Sequence, residues 1–161
     1  MLNKSSLRAI AAAALAFFAA SAFAASDGAN LTVTATVGAK CKVTAGTMAF
    51  GSLDPTLTTD PTATATVTYK CTKGTAVTSF AVNSITAGAT GTTGTMSAAA
   101  PNTDTVAYEI KWTNPTAFTG DGLGASGTAK SVTLNGKILN ANYVDVTPDT
   151  YTGTIGVAVN Y

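Results

Sequence analysis

The chain has 161 residues, of which 46% are hydrophobic and 11% are charged, and its nine basic and eight acidic residues nearly cancel. It has no histidine, and its one arginine, Arg8, lies close to the amino terminus. Histidine is the commonest general base and metal ligand, and arginine binds phosphate with its forked side chain. Their absence from the rest of the chain argues against an enzyme. The balanced charge also lacks the basic surface typical of nucleic-acid binding.

Residues 1–24 have the layout of a secretory signal peptide. Lys4 and Arg8 give a positive start, residues 9–20 form an apolar run, and Ala22-Phe23-Ala24 is a small-x-small cleavage signal. The apolar run is shorter than the roughly 20 residues that a membrane span needs. We therefore expect an exported protein, cleaved after Ala24, with no stable membrane insertion.

The remaining composition is rich in threonine, alanine, glycine and valine. Threonine and valine are β-branched and fit a pleated surface, so an all-β fold is expected. The high hydrophobic content argues against disorder, which usually goes with few apolar residues. A surface with so little charge is more typical of a protein inside an assembly than of a free monomer.

Residues 31–37 alternate strictly between apolar side chains and threonine. Successive residues of a strand point to opposite faces, so this pattern predicts a strand with one apolar face. The strand either folds onto its own domain or packs against another molecule. Its apolar face consists of Leu31, Val33, Ala35 and Val37.

Cys41 and Cys71 are the only cysteines in the chain. In an exported protein a single pair most simply forms one disulfide. Two thiols without a histidine make a poor metal site, and the acidic residues are scattered without a calcium-loop spacing. The sequence therefore predicts a disulfide and neither a metal nor a cofactor.

Six further strands are predicted after Cys41, separated by long connections rich in glycine and proline. Gly136 is interpreted as a β-bulge, and residues 86–104 and 114–127 are expected to be long loops, the first with a loosely formed hairpin as its alternative. Short strands with such connections indicate a β-sandwich of the immunoglobulin kind, which needs seven strands when closed. One strand is thus missing from the domain. The predicted strands cover residues 42–51, 63–71, 77–85, 105–112, 131–139 and 151–161.

Several short motifs, taken in order, resemble the spore coat protein U domain family, which includes subunits of archaic chaperone-usher pili. The alternating segment that ends at Cys41 comes first, and the strand that ends at Cys71 follows later. The other matching elements are Phe50-Gly51, Leu53-Asp54-Pro55 and the stretch from Val146-Thr147-Pro148 through Tyr151 to the terminal strand ending at Tyr161.

The resemblance implies an incomplete immunoglobulin-like β-sandwich of six strands with a hydrophobic groove in place of the seventh. It implies a donor-strand extension at residues 25–40, with Leu31, Val33, Ala35 and Val37 as donor side chains, and a pilin domain at residues 41–161. A periplasmic chaperone would fill the groove first, and at the outer-membrane usher the next identical or homologous pilin subunit would replace it. The implied groove and chaperone edge consists of Phe50, Ile155, Val157, Val159 and Tyr161.

The function implied by the resemblance is that of a structural subunit of an adhesive pilus, exported through the periplasm to the cell surface and serving adhesion and biofilm formation. One alternative is a monomeric secreted β-sandwich that binds carbohydrate, with Trp112, Tyr108 and Tyr69 as a stacking platform. On alternating strands these rings are more often part of a core. A second alternative is a spore or cell-envelope coat component with the same fold.

Overall fold

The structure is a computed structural model that describes residues 26–161. The predicted signal peptide lies outside the described residues. The chain divides into two compact units, residues 1–36 and 37–161, which are considered separately. Among the described residues, no helix has the length and apolar character needed to cross a membrane.

The second unit is built of short antiparallel strands, with one turn of 3-10 helix at Asn140–Asn142. Five of the strands form one sheet in the order β1-β2-β8-β6-β5, and β3-β7 and β4-β9 form two separate pairs. The strands assigned in residues 26–161 are β1 (Cys41–Ala45), β2 (Thr62–Cys71), β3 (Ala76–Val77), β4 (Ser79–Val82), β5 (Thr92–Ser97), β6 (Thr105–Trp112), β7 (Phe118–Thr119), β8 (Lys130–Lys137) and β9 (Val157–Asn160).

The alternation of the sequence decides which face of the large sheet is buried. In β2, β6 and β8 the apolar residues of one parity are buried, whereas most threonines and lysines of the other parity are exposed. The predicted strands at 63–71, 105–112 and 131–139 are therefore confirmed within two residues. Burial of one apolar parity is what holds their register, because a shift by one residue would turn every side chain over.

The β4-β9 pair covers this apolar face and makes the fold a β-sandwich. The Phe80 ring of β4 lies 6.4 Å from the ring of Tyr69 in β2 and 6.3 Å from the ring of Trp112 in β6. Aromatic pairs at these separations add to the stabilisation that comes from burial. The predicted all-β sandwich class is confirmed.

The strand predicted for residues 77–85 is divided and ends early. Asn83 and Ser84 have φ angles of 46° and 66°, and the backbones of Val82 and Ile85 bond to each other across them at 2.9 and 3.0 Å. Two consecutive left-handed residues make the tight turn typical of two-residue hairpins, which terminates the strand. The predicted terminal strand at 151–161 is likewise shortened to β9.

The prediction of six strands after Cys41 was wrong, because the structure has nine in this part of the chain. Residues 86–104 contain β5, which pairs with β6 and so corresponds to the hairpin alternative. Gly94 of β5 lies opposite Tyr108, and a Cβ at Gly94 would come within 2.5 Å of the tyrosine ring. The absence of a side chain at Gly94 therefore lets β5 pair with β6 beside the Tyr108 ring.

Gly136 is not the β-bulge that its sequence suggests, since it pairs in register with Ala63 on one side and Ile110 on the other. A Cβ at Gly136 would collide with the Met48 sulfur and lie 2.8 Å from Cζ of Phe50. The glycine therefore makes room for two side chains that reach across the sheet from the segment after β1.

Candidate functional site: an open seam in the sandwich

The predicted disulfide between Cys41 and Cys71 is present. The two cysteines are also partners in the β1-β2 register, so the bond pins the first residue of β1 to the last residue of β2. Lys40 continues this pairing, because its carbonyl accepts a bond of 2.9 Å from the Thr72 amide. The amino-terminal end of the domain is thereby anchored at its outer edge.

The segment after β1 leaves the sheet while staying packed on the core. The predicted strand at 42–51 pairs with β2 only as far as Ala45, and the Gly46 amide donates the last bond, 3.0 Å to the Thr66 carbonyl. Within the described chain, residues 47–53 then make no backbone hydrogen bond, although Met48, Phe50 and Leu53 are half-buried against the core. Unpaired backbone beside buried apolar side chains is the condition of a free strand edge.

The carboxyl-terminal strand β9 has a second free edge. In the described part of the chain its single strand partner is β4. Val159 is buried, and Val157 and Ile155 are half-buried against the core. Some Cα atoms of β1 and β9 lie within 8 Å of each other, yet the two strands belong to different sheets.

We call this region the open seam. Its two sides come from the chain around β1 and from the chain leading into β9, and both sides present partly exposed apolar side chains to the same core. The seam is thus a line along which the sandwich is not closed by backbone pairing. Its residues are Cys41, Val43, Met48, Phe50 and Leu53 on one side and Val146, Tyr151, Ile155 and Val157 on the other.

At one end the open seam widens into a groove of about 620 Å³. Residues 48–53 with Pro55 form one wall and residues 146–151 the other, and between them lie Met96, Val106 and Tyr143. Of the predicted groove residues, Phe50 lines this cavity, whereas Ile155 and Val157 lie farther along the open seam. Tyr161, just beyond β9, is 51% exposed.

A polar cluster holds the 146–151 wall in place. The Asp104 carboxylate accepts 2.8 and 2.7 Å bonds from the amide and hydroxyl of Thr147, and the Tyr151 hydroxyl donates to the Thr147 carbonyl at 2.6 Å. Asn102 donates from its side-chain amide to Asp149 at 3.1 Å and to the Tyr151 hydroxyl at 3.3 Å. These bonds tie the wall to the loop before β6.

Acidification is expected to loosen this wall. The side-chain and backbone bonds from Thr147 lower the pKa of Asp104 below its ordinary value of 3.8. A lowered native pKa means that the stabilisation is complete above the unfolded pKa of about 3.9 and is lost as the pH falls through the native pKa. Asp104→Asn should lower the Tm at neutral pH by at most a few degrees, since the site is at the surface. Below about pH 4 the variant should lose less additional stability than the wild type.

Urea or thermal unfolding followed from about pH 7 to about pH 2 measures this effect. Asp145→Asn is the matched control, because the Asp145 carboxylate makes no hydrogen bond within the described chain. Parallel pH profiles for the wild type and Asp104→Asn would contradict the role given to the Asp104 carboxylate.

The amino-terminal segment carries the predicted donor side chains outside any strand. Residues 26–40 have no strand assignment, so the strand predicted at 31–37 does not form in the isolated chain. A strand requires a neighbouring backbone, and among these residues of the described chain only Lys40 has one, through its bond with Thr72. Leu31, Val33 and Val37 are 88%, 82% and 86% exposed, and Ala35 is exposed as well.

The aromatic residues considered as a sugar platform belong to the core. Tyr69, Tyr108 and Trp112 are at most 6% exposed, and burial raises the pKa of both tyrosines. Rings buried to this extent cannot stack on a carbohydrate at the surface. Among residues 26–161 there is also no group of three histidine, cysteine or acidic side chains placed to hold a metal ion.

Sequence reasoning missed several residues of the open seam. Leu53, Val146 and Tyr151 line the open seam and Met96 lines its groove, and none of the four was among the predicted groove residues. Leu53, Val146 and Tyr151 do lie in the motifs that carry the family resemblance, so that signal pointed to them. Met96 belongs to β5, which the sequence offered only as the loosely formed hairpin alternative.

Together these features define a class of protein, a β-sandwich that leaves one seam unpaired and is preceded in the chain by an apolar segment outside any strand. The chain belongs to the Spore Coat Protein U domain family, whose model matches residues 27–158. This is a family of chaperone-usher pilus subunits, structural proteins rather than enzymes. Neither the comparison with curated proteins nor that with solved structures gave a match.

Proposed function

We propose that the protein is a structural subunit of an adhesive surface pilus that polymerises by donor-strand complementation and serves adhesion and biofilm formation. The observation that carries the proposal is the open seam, where an apolar core is exposed between two backbone edges without partners. An exposed edge of this kind is a template for pairing with another chain, and a functional protein must either cover it or use it. On this proposal the exposed edge is used for assembly.

The strand order supports the position of the missing strand. Immunoglobulin-type sandwiches have strands A, B, E and D in one sheet and C, F and G in the other. In this comparison β1, β2, β8 and β6 correspond to the first sheet, and β4 and β9 correspond to strands C and F. Strand G, which would lie beside β9, is then the one that is absent. An added strand there would pair with β9 on one side and face residues 47–53 on the other.

The donor is the amino-terminal segment of a second copy of the chain. Its backbone would supply the hydrogen bonds that β9 lacks, while Leu31, Val33, Ala35 and Val37 enter the open seam at every second position. Burial of four such side chains contributes on the order of 6 to 10 kcal/mol, taking roughly 1.5 to 3 kcal/mol for each larger one and less for Ala35. Replacement of a donor strand that packs less well by this segment then needs no external energy.

Three partners follow from this assignment. A periplasmic chaperone lends a strand to the seam before assembly, an outer-membrane usher is the site of exchange, and identical or homologous subunits form the fibre. The predicted signal peptide and disulfide fit a route through the periplasm to the cell surface. The buried state of Tyr69, Tyr108 and Trp112 disfavours the carbohydrate-binding alternative.

Removal of residues 30–39 from the exported chain tests the proposal. The full-length chain is expected to form multimers that resist SDS and dissociate on heating, and the shortened chain is expected to stay monomeric. A synthetic peptide of residues 30–39 should bind the shortened chain and raise its Tm, and the same peptide with Val33→Asp is the matched control. A shortened chain that is fully stable alone, together with a full-length chain that never multimerises, would overturn the proposal.

A further inference from the structure

The charges of the folded domain are separated into two poles that the balanced composition hides. Residues 37–161 carry seven lysines and seven acidic residues. Five lysines and one aspartate lie at the disulfide end, and five aspartates and one lysine lie at the opposite end. Glu109, which pairs with Lys137 in the β6-β8 register, and Lys111, two residues farther along β6, cancel each other.

The basic pole surrounds the disulfide. Lys42 and Lys70 lie directly opposite each other in the β1-β2 register, and Lys130 pairs with Tyr69 at the start of β8. Like charges opposite each other on neighbouring strands are destabilising, so this arrangement costs stability unless an anion is nearby. The members of the basic pole are Lys40, Lys42, Lys70, Lys73 and Lys130, with Asp121 as the counter-charge.

The acidic pole is organised around residues 140–151. Asp60 accepts a 2.8 Å bond from the Asn140 amide and pairs with Lys137 at 2.8 Å, and Leu57 near Asp54 accepts from the Asn140 side chain at 2.7 Å. Asp104 and Asp149 belong to the polar cluster that holds the groove wall. The members of the acidic pole are Asp54, Asp60, Asp104, Asp145 and Asp149, with Lys137 as the counter-charge.

The acidic pole also exposes apolar side chains. Leu57, Leu139 and Val144 are 52%, 38% and 39% exposed, and all three belong to the segments joined at Asn140. Exposed apolar groups rimmed by charge are typical of a protein interface. The poles lie at opposite ends of β2, whose ten residues span about 30 Å.

We infer that the basic pole of one copy docks on the acidic pole of the next, so that charge complementarity sets the contact between successive domains of the fibre. The inference rests on the proposed function and names a surface that borders the groove at the end of the open seam. A contact between two different surfaces of the same chain is head-to-tail, and such contacts build open filaments. Complementary charge mainly raises the association rate and selects the orientation.

The covalent path of the chain supports this contact. Val37 is four residues from Cys41. When the donor segment of one copy is inserted into its neighbour, the basic pole of the donor's own domain therefore lies within about 14 Å of the inserted Val37. The acidic pole adjoins the residues that lead into β9, whereas Asn160 pairs with Ser79 toward the disulfide end. A donor that runs antiparallel to β9 therefore brings the basic pole of its own domain against the acidic pole of the neighbour. A donor that runs parallel to β9 would bring the two basic poles together.

Charge reversal of two residues at either pole is the test. The basic-pole variant is Lys42→Glu with Lys73→Glu, and the acidic-pole variant is Asp54→Lys with Asp145→Lys, neither of which lines the groove. Each variant leaves its pole with three lysines and three acidic residues and therefore without net charge, so each should slow the initial rate of multimer formation about tenfold at low salt. Lys111→Glu is the matched control, because it makes the same change of charge at a residue of β6 that belongs to neither pole, and it should leave the rate unchanged.

Light scattering of the full exported chain measures these rates at ionic strengths of about 0.01 M and 1 M, where the screening length is about 30 Å and 3 Å. The wild-type rate should fall with salt, and the rates of the single-pole variants should not. If the wild type multimerises and the pole variants behave like Lys111→Glu, the inference is overturned and the proposed function stands. If no chain multimerises at either salt concentration, the proposed function fails and the inference fails with it.

Discussion

Val33→Asp is expected to abolish multimer formation while leaving the domain folded. Val33 is 82% exposed and outside any strand in the isolated chain, so the substitution removes no packing there. In the open seam of a neighbour the same side chain would be buried. Loss of valine burial and desolvation of a carboxylate together cost at least about 4 kcal/mol, which corresponds to about a thousandfold weaker association.

The matched control is Thr34→Asp, since the next residue of a strand points to the opposite face. It introduces the same charge one position away and should leave assembly largely intact. Val33→Asp chains should still accept a donor, so that a small proportion added to the wild type shortens the multimers, as size-exclusion chromatography or electron microscopy would measure. Equal loss of assembly in both variants would show that charge alone, and not insertion of one face, is responsible.

Replacing the disulfide is expected to have the largest effect on the stability of the domain itself. The bond closes a loop with a sequence separation of 30 residues, and in the chain-entropy model such a loop contributes roughly 3 to 4 kcal/mol. Whole domains have only about 5 to 15 kcal/mol in total. Cys41→Ser with Cys71→Ser should therefore remove a large part of the stability of the domain and lower its urea midpoint accordingly.

The consequence reaches the open seam because Cys41 begins β1, the strand that precedes the unpaired residues 47–53. Without the bond, β1 and its lysine pair at positions 42 and 70 should separate first. Fluorescence of Trp112, the only tryptophan of the chain, reports urea unfolding. Wild-type protein treated with a reductant is the control and should unfold like the double variant, and an unchanged midpoint in both would contradict the prediction.

The long alternating strands were predictable because their pattern is local. In β2, β6 and β8 every second residue is apolar, and the buried face follows from that periodicity without knowledge of neighbours. The disulfide was predictable by elimination, since Cys41 and Cys71 have no other partners in the chain. The amphipathic character of residues 31–37 was evident for the same local reason.

The short strands were not predictable, because their pairing is decided by what lies opposite. β5 is a strand because Gly94 fits beneath the ring of Tyr108, and Gly136 stays in register because Met48 and Phe50 need its space. Nothing within either segment encodes these non-local contacts. The count of six strands failed for this reason, and the open seam is better supported by the edges without partners than by the strand count.

The sequence by itself determined the all-β class, the buried faces of the long strands, the disulfide and the apolar face of residues 31–37, because each depends on neighbours along the chain. Only the tertiary structure decided where the seam opens, which residues line its groove, and that a domain without net charge is divided into a basic and an acidic pole. These properties arise when distant segments such as residues 47–53 and 146–157 meet on one core. Long-range packing creates them, and no local pattern of residues records it.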